Sequence, residues 1–165
     1  MKDAVDRAHE ARNLLERLAA RLPGFSGYQE RELRREVDAR VRRELAGRLD
    51  QARTRMAGFT RTLSLAESAL VGRLDSIAKD LDHAANTLRH AGSGYAGLFD
   101  AVKIREEQLI DLYTYDLALL EEVEGVEEGV AEVVSGSADG VELARRVSAA
   151  AVRVTGRAAA VKSVL

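Results

Sequence analysis

The chain has no cysteine, no tryptophan and a single proline, and aromatic residues fill only 4% of its 165 positions. Without cysteine it can form no disulfide, no thiolate metal site and no cysteine nucleophile. It also lacks any run of about 18 apolar residues that could cross a membrane, and its first residues lack the apolar core of a signal peptide. The sequence therefore predicts a soluble, cytoplasmic protein.

What the chain does contain is 46% hydrophobic and 32% charged residues, mostly alanine, leucine, valine, glutamate and arginine. This composition is typical of long helices or coiled coils, and no alternating apolar run indicates a strand. The strong preference for arginine over lysine favours a bacterial source. We predict an all-α fold: one domain over residues 1–165, built as an antiparallel bundle of four to five long helices with coiled-coil character.

The longest helical pattern runs from about residue 29 to residue 91 and contains no proline. From Leu49 to Leu88 its apolar residues recur at steps of mostly three and four, which is typical of a helix with one buried stripe. Gly58 and the capping-box sequence Ser64 to Glu67 indicate a break, whereas the continuous apolar phase favours one helix of about 95 Å. The phase slightly favours the elongated, unbroken form, and a break would give a compact bundle.

Two connections interrupt the helical pattern and hold four of the seven aromatic residues. Pro23 and Gly24 suit the centre of a type II turn, so the first helix should lie antiparallel to the start of the long one. The segment 92–97 matches G-x-G-x-x-G, but it follows a helix rather than a strand and so predicts a turn. We expect the aromatic side chains to cover the two bundle ends or to contact a partner; they are Phe25, Tyr28, Tyr95 and Phe99.

Charge is divided unevenly along the chain. Residues 29–61 hold ten arginines and six acids, residues 104–134 one arginine and ten acids, and residues 137–165 five bases and two acids. The arginine-rich face of 31–55 could bind nucleic acid or an anionic membrane. Interspersed acids at i,i+4 spacing instead favour a solvated, self-paired face. The candidate contact residues on it are Arg34, Arg35, Arg42 and Arg43.

One carboxylate and the histidines are candidates for a functional site. His83 and His90 lie seven residues apart, a rise of about 10.5 Å, which is too far for one metal ion. Asp116 falls close to an apolar stripe, and a hairpin centred near residue 97 would place it near His83. We predict that Asp116 is a polar register pin held by Lys79, an arginine or a tyrosine hydroxyl; the alternative is a functional acid beside His83.

The sequence contains no Ser/His/Asp set, P-loop or H-E-x-x-H motif. We therefore expect a non-enzymatic interaction or scaffold protein, without cofactor or small-molecule substrate. It should self-associate, or dock on a protein partner, through apolar helix faces and complementary charge, and a homo-oligomer is expected. One alternative is an adaptor that binds an anionic membrane or, less favoured, nucleic acid through the arginine face. A second is a metal-binding helical bundle.

Overall fold

A computed structural model describes residues 4–22, 30–91 and 106–163; within its helices, the side chains of residues 4, 30–36, 106, 158 and 161–163 lie outside the description. These ranges contain five α-helices and no strand, so the predicted all-α bundle is confirmed. Its coiled-coil character stays a prediction. The helices are α1 Ala4–Ala20, α2 Glu30–Thr60, α3 Ser68–His90, α4 Glu106–Val134 and α5 Val141–Ser163.

Four helices form a ring in the order α2, α3, α5, α4, and α1 packs on the outside of α4. The helix α4 is buried over a wide arc because α1, α2 and α5 all contact it. The core is almost entirely aliphatic. Its largest fully buried apolar side chains are Leu18, Leu45, Leu49, Met56, Leu74, Ile77, Leu81, Leu88, Leu109, Leu119 and Leu120.

The long 29–91 pattern is broken, so the slight preference for an unbroken helix was wrong. The helix α2 ends at Thr60, and a 3₁₀ turn at Leu65–Glu67 leads into α3. The Glu67 carboxylate accepts a hydrogen bond from the Ser64 backbone N–H at 2.8 Å, as the capping-box sequence predicts. The chain then reverses, and α3 packs along α2 over most of its length.

Ion pairs between helices fix the directions of the chain. Arg53 of α2 pairs with Asp82 of α3, and Asp50 pairs with Arg89, so these helices are antiparallel. The helices α4 and α5 are also antiparallel, because Glu122 pairs with Arg153 and Glu132 pairs with Arg146. The helices α2 and α4 run in the same direction.

Two predicted helix pairings were wrong. The helix α1 runs parallel to α4, with Arg7 beside Glu107 and Arg21 beside Glu124, and it barely contacts α2. The helices α3 and α4 do not form the expected hairpin within the described residues, because they lie across the diagonal of the ring. Both predictions expect that two helices joined by a connection pack against each other. In the structure α1 packs on α4 instead of α2, and α3 and α4 are separated by the other helices.

Candidate interaction surface

A buried ion cluster crosses the diagonal of the bundle. Arg157 of α5 donates two hydrogen bonds to the Asp116 carboxylate of α4, at 2.7 and 2.8 Å. The same guanidinium donates to Asp38 of α2 at 2.8 Å, and Asp38 also accepts from Arg42 at 3.0 Å. Asp116 and Arg157 are 2% and 1% exposed. One residue thus ties three helices together inside an otherwise apolar core.

Burial and pairing act in opposite directions on this cluster. Burial raises the pKa of Asp116, although the adjacent Arg157 guanidinium opposes that rise. Burial alone would lower the pKa of Arg157, but Asp116 and then Asp38 outweigh it and the pKa is raised. The Nη1 of Arg157 is buried with no hydrogen-bond partner among the described residues. The cluster is therefore incompletely satisfied, which suits a structural element that selects one helix arrangement rather than one that maximises stability.

The partner of Asp116 is therefore an arginine, one of the three predicted kinds of partner, while the role of Asp116 as a register pin stays a prediction. His83 is exposed on α3, whereas Asp116 is buried on α4 across the ring. The alternative of a functional acid beside His83 thus has no support from the placement of these two residues. Among the described residues, no three His, Cys, Asp or Glu side chains are grouped closely enough to hold a metal ion.

Much of the arginine face of α2 is used within the chain. Arg42 is nearly buried against Asp38, and Arg48 donates to Glu127 of α4 at 2.9 Å. Arg53 pairs with Asp50 and with an acid of α3. These pairs leave fewer arginines available to an anionic surface than the sequence alone suggests.

Of the remaining candidate contact residues, Arg43 lies within the described structure and the others lie outside it. Arg43 is exposed and its Nε donates to the Ala39 carbonyl oxygen at 3.1 Å, so it remains open to a partner. The side chains of Arg34 and Arg35 lie outside the described set. The predicted end-covering aromatics also lie outside the described residues; they are Phe25, Tyr28, Tyr95 and Phe99.

An open groove of about 670 Å³ runs between α4 and α5 on the outside of the bundle. Its lining on α5 includes the small residues Ser148, Ala149 and Gly156, and Val152 beside them is 72% exposed. Val152 is the one large exposed apolar side chain among the residues that line this groove, and charged residues line it as well. The groove residues are Tyr115, Glu122, Arg145, Ser148, Ala149, Val152, Arg153 and Gly156.

The floor of the groove is held in a fixed shape. The Tyr115 hydroxyl donates to the Arg153 carbonyl oxygen at 2.6 Å, and the Arg153 guanidinium lies 5.3 Å from the centre of the Tyr115 ring. A Cβ added at Gly156 would lie 2.7 Å from that hydroxyl oxygen. Arg153 also donates to Glu122 at 2.6 Å, which joins the two helices at this level. The groove is therefore preformed, so a partner would meet little ordering cost.

The α4 side of this face is an acidic stripe, whose exposed members repeat at helical spacing. Asp111, Glu121 and Glu128 in it have no ion-pair partner among the described residues, and a Cβ added at Gly125 would meet nothing within 4 Å. The packing of a single chain thus gives no reason for a glycine there. The stripe is Glu107, Asp111, Thr114, Ala118, Glu121, Gly125, Glu128 and Glu132.

The sequence pattern missed this groove because small and charged residues on an exposed helix face resemble any solvated surface. Gly156 and Val152, which are unusual on such a face, were the available signals. None of the described helices combines the length and the apolar character needed to cross a membrane. Comparisons with protein-family models, curated proteins and solved structures found no match.

Proposed function

We propose that this chain is a non-enzymatic helical scaffold that acts by docking a protein, or another copy of itself, on the α4–α5 face. The observation that carries the proposal is the open groove in which Val152 is exposed beside small residues of α5. A large apolar side chain that is exposed in a groove, as Val152 is here, becomes more stable when a second helix covers it. The cytoplasmic location predicted from the sequence is part of this proposal.

The charge around the groove supports a protein ligand over an anionic surface. The acidic stripe of α4 borders one side of the groove and would repel phosphate groups. On the other side Arg145 is engaged by Glu142, with hydrogen bonds of 2.8 and 2.6 Å. A groove with both signs of charge at its edges and an apolar floor favours a helix that carries its own complementary charges.

Site-specific photo-crosslinking tests this proposal. A photoreactive amino acid at position 152 should give covalent adducts in cells that produce the protein, and the same residue at exposed position 83 serves as the control. We expect adducts at 152 well above those at 83, because only position 152 lies in the groove. Equal or absent adducts at both positions would remove the basis for the proposal.

A further inference from the structure

We infer that the occupant of the α4–α5 groove is a basic amphipathic helix of another protein. This inference rests on the proposed function and names the chemistry of the partner. Three features of the face support it: the spacing of its exposed residues, the small side chains near its centre, and the sign of its unpaired charges. Together they specify an occupant with a stripe of large apolar residues and with lysine or arginine beside that stripe.

The exposed residues of α5 are spaced for contact with another helix. They succeed one another at alternating steps of four and three, and this spacing keeps one side of a helix against a partner over its whole length. A solvated helix face is normally rich in charge, whereas this set contains one charged residue. The set, which we call the α5 seam, is Val141, Arg145, Ser148, Val152, Thr155 and Ala159.

The acidic stripe of α4 has the same alternation of four and three, so two seams of one kind border the groove. Glu122 accepts a hydrogen bond from Arg153, and these residues directly follow Glu121 and Val152, so the middle of the stripe and the middle of the α5 seam lie at about one height. Because the α5 residues beside Val152 in the groove include serine, alanine and glycine, they leave room for large apolar side chains of a third helix.

The charge that remains unpaired on this face is negative. Both cations that line the groove are engaged within the chain, because Arg145 donates to Glu142 and Arg153 donates to Glu122. Three acids of the α4 stripe have no ion-pair partner among the residues that the structure describes; they are Asp111, Glu121 and Glu128. A second copy of the same face would bring acids against acids, whereas an occupant with lysine or arginine supplies the missing sign.

The spacing of the acids also sets the spacing of the basic residues. Glu121 and Glu128 are one heptad apart, a rise of about 10.5 Å. Basic residues at the same spacing on the occupant therefore reach both acids, while its apolar residues pack beside Val152. Because both acids are exposed, added salt should weaken the complex by screening this attraction.

Two synthetic peptides test this chemistry. Both have three heptads with leucine at the first and fourth positions and alanine elsewhere, except at the two flanking positions, which are lysine in one peptide and glutamate in the other. Each peptide is titrated into the folded chain, and backbone amide shifts are followed by NMR. The lysine peptide should bind with a Kd below about 100 µM and shift amides of α4 and α5 near Val152, whereas the glutamate peptide should bind at least about 10-fold more weakly.

Variants separate docking in the groove from a general attraction to acids. Glu121→Lys with Glu128→Lys should weaken binding of the lysine peptide at least about 10-fold. The same charge change on the exposed face of α3, Asp75→Lys with Asp80→Lys, should alter that binding less than about twofold. Val152→Asp adds an acid and would strengthen a purely electrostatic contact, but it should weaken docking because it removes the apolar contact. Circular dichroism verifies that each variant is folded.

Three results with the peptides would overturn this inference: a lysine peptide that binds no better than the glutamate peptide, stronger binding in Val152→Asp, or amide shifts on another face. Amide shifts of α4 and α5 that appear when the chain alone is concentrated would identify a second copy as the occupant and overturn it as well. Crosslinks at position 152 to a protein without a basic amphipathic helix would overturn this inference and leave the proposed function standing.

Discussion

The bond between Arg157 and Asp116 gives the most demanding stability prediction. Arg157→Met removes three hydrogen bonds of 2.7–2.8 Å and leaves Asp116 buried without a hydrogen-bond partner in the described structure. Removing one partner of a buried ion pair typically costs about 3–5 kcal/mol, because the remaining charge stays desolvated. For a chain of 165 residues this corresponds to a fall in melting temperature of roughly 6–20 °C.

The double variant distinguishes a polar pin from an ordinary stabilising contact. Arg157→Met combined with Asp116→Leu replaces the pair by apolar side chains, while Asp38 keeps Arg42 as its partner. The double variant should therefore lose less stability than Arg157→Met alone, and it should show more than one helix arrangement or a changed oligomer size. Urea unfolding followed by circular dichroism at constant m-value measures the free energies.

The reasoning about this cluster is refuted by either of two results. One is a fall in unfolding free energy of less than about 1 kcal/mol for Arg157→Met, because a buried carboxylate left without its partner should destabilise the fold by more than that. The other is a double variant whose loss equals the sum of the two single losses, because uncoupled residues add. Unchanged melting and unchanged oligomer size in Asp116→Leu would separately reject its role as a register pin.

Two further predictions concern the groove face and its border. Gly156→Ala should cost about 1–3 kcal/mol of unfolding free energy because its Cβ would collide with the Tyr115 hydroxyl. Gly47 lies on α2 with open space around it, so Gly47→Ala should instead raise the free energy of unfolding by about 0.5–1 kcal/mol. Urea unfolding measures both changes, and a change of the same sign in the two variants would contradict the packing argument. Hydrogen bonds from Arg145 lower the pKa of Glu142 to about 2, so this carboxylate should stabilise the fold above its unfolded pKa and lose that effect as pH falls through about 2. NMR titration should find that midpoint and its rise toward about 4.3 in Arg145→Ala; a midpoint near 4 in the natural chain would contradict it.

The helices could be predicted from the sequence, whereas the chain reversal after Thr60 could not be decided. The apolar phase runs unbroken from Met56 through Leu63 to Leu70, yet Leu63 and its neighbours form a turn rather than a helix. A short turn can preserve the phase of a 3.6-residue repeat, so continuity of phase is not evidence of a continuous helix. The capping box was the better local signal, because Glu67 can satisfy the Ser64 N–H only where a helix begins.

The buried carboxylate was recognised and its partner was not. Asp116 lies close to an apolar stripe, so its burial could be suspected from spacing alone. Arg157 is one of many arginines, and choosing it requires knowing that α5, rather than α3, lies beside α4. Helix neighbourhood depends on packing over the whole chain, and the sequence pattern of one helix does not contain it. The groove could not be predicted for the same reason, because it is formed by two helices whose contact is not evident from the sequence of either one.

The cluster at the centre of the bundle also sets a waiting time during protein synthesis. Asp38 and Arg157 are 119 residues apart, and at about 5–20 residues per second the ribosome needs roughly 6–24 s to make the chain between them. Over the last 41 residues of that interval, roughly 2–8 s, Asp116 has been made but the arginine that makes its burial possible has not. Burial of Asp116 before α5 emerges would leave its carboxylate without this partner, so we expect α4 to reach its final packing only after α5 is made. Closure of this core therefore waits for α5, which is translated after the other four helices described here.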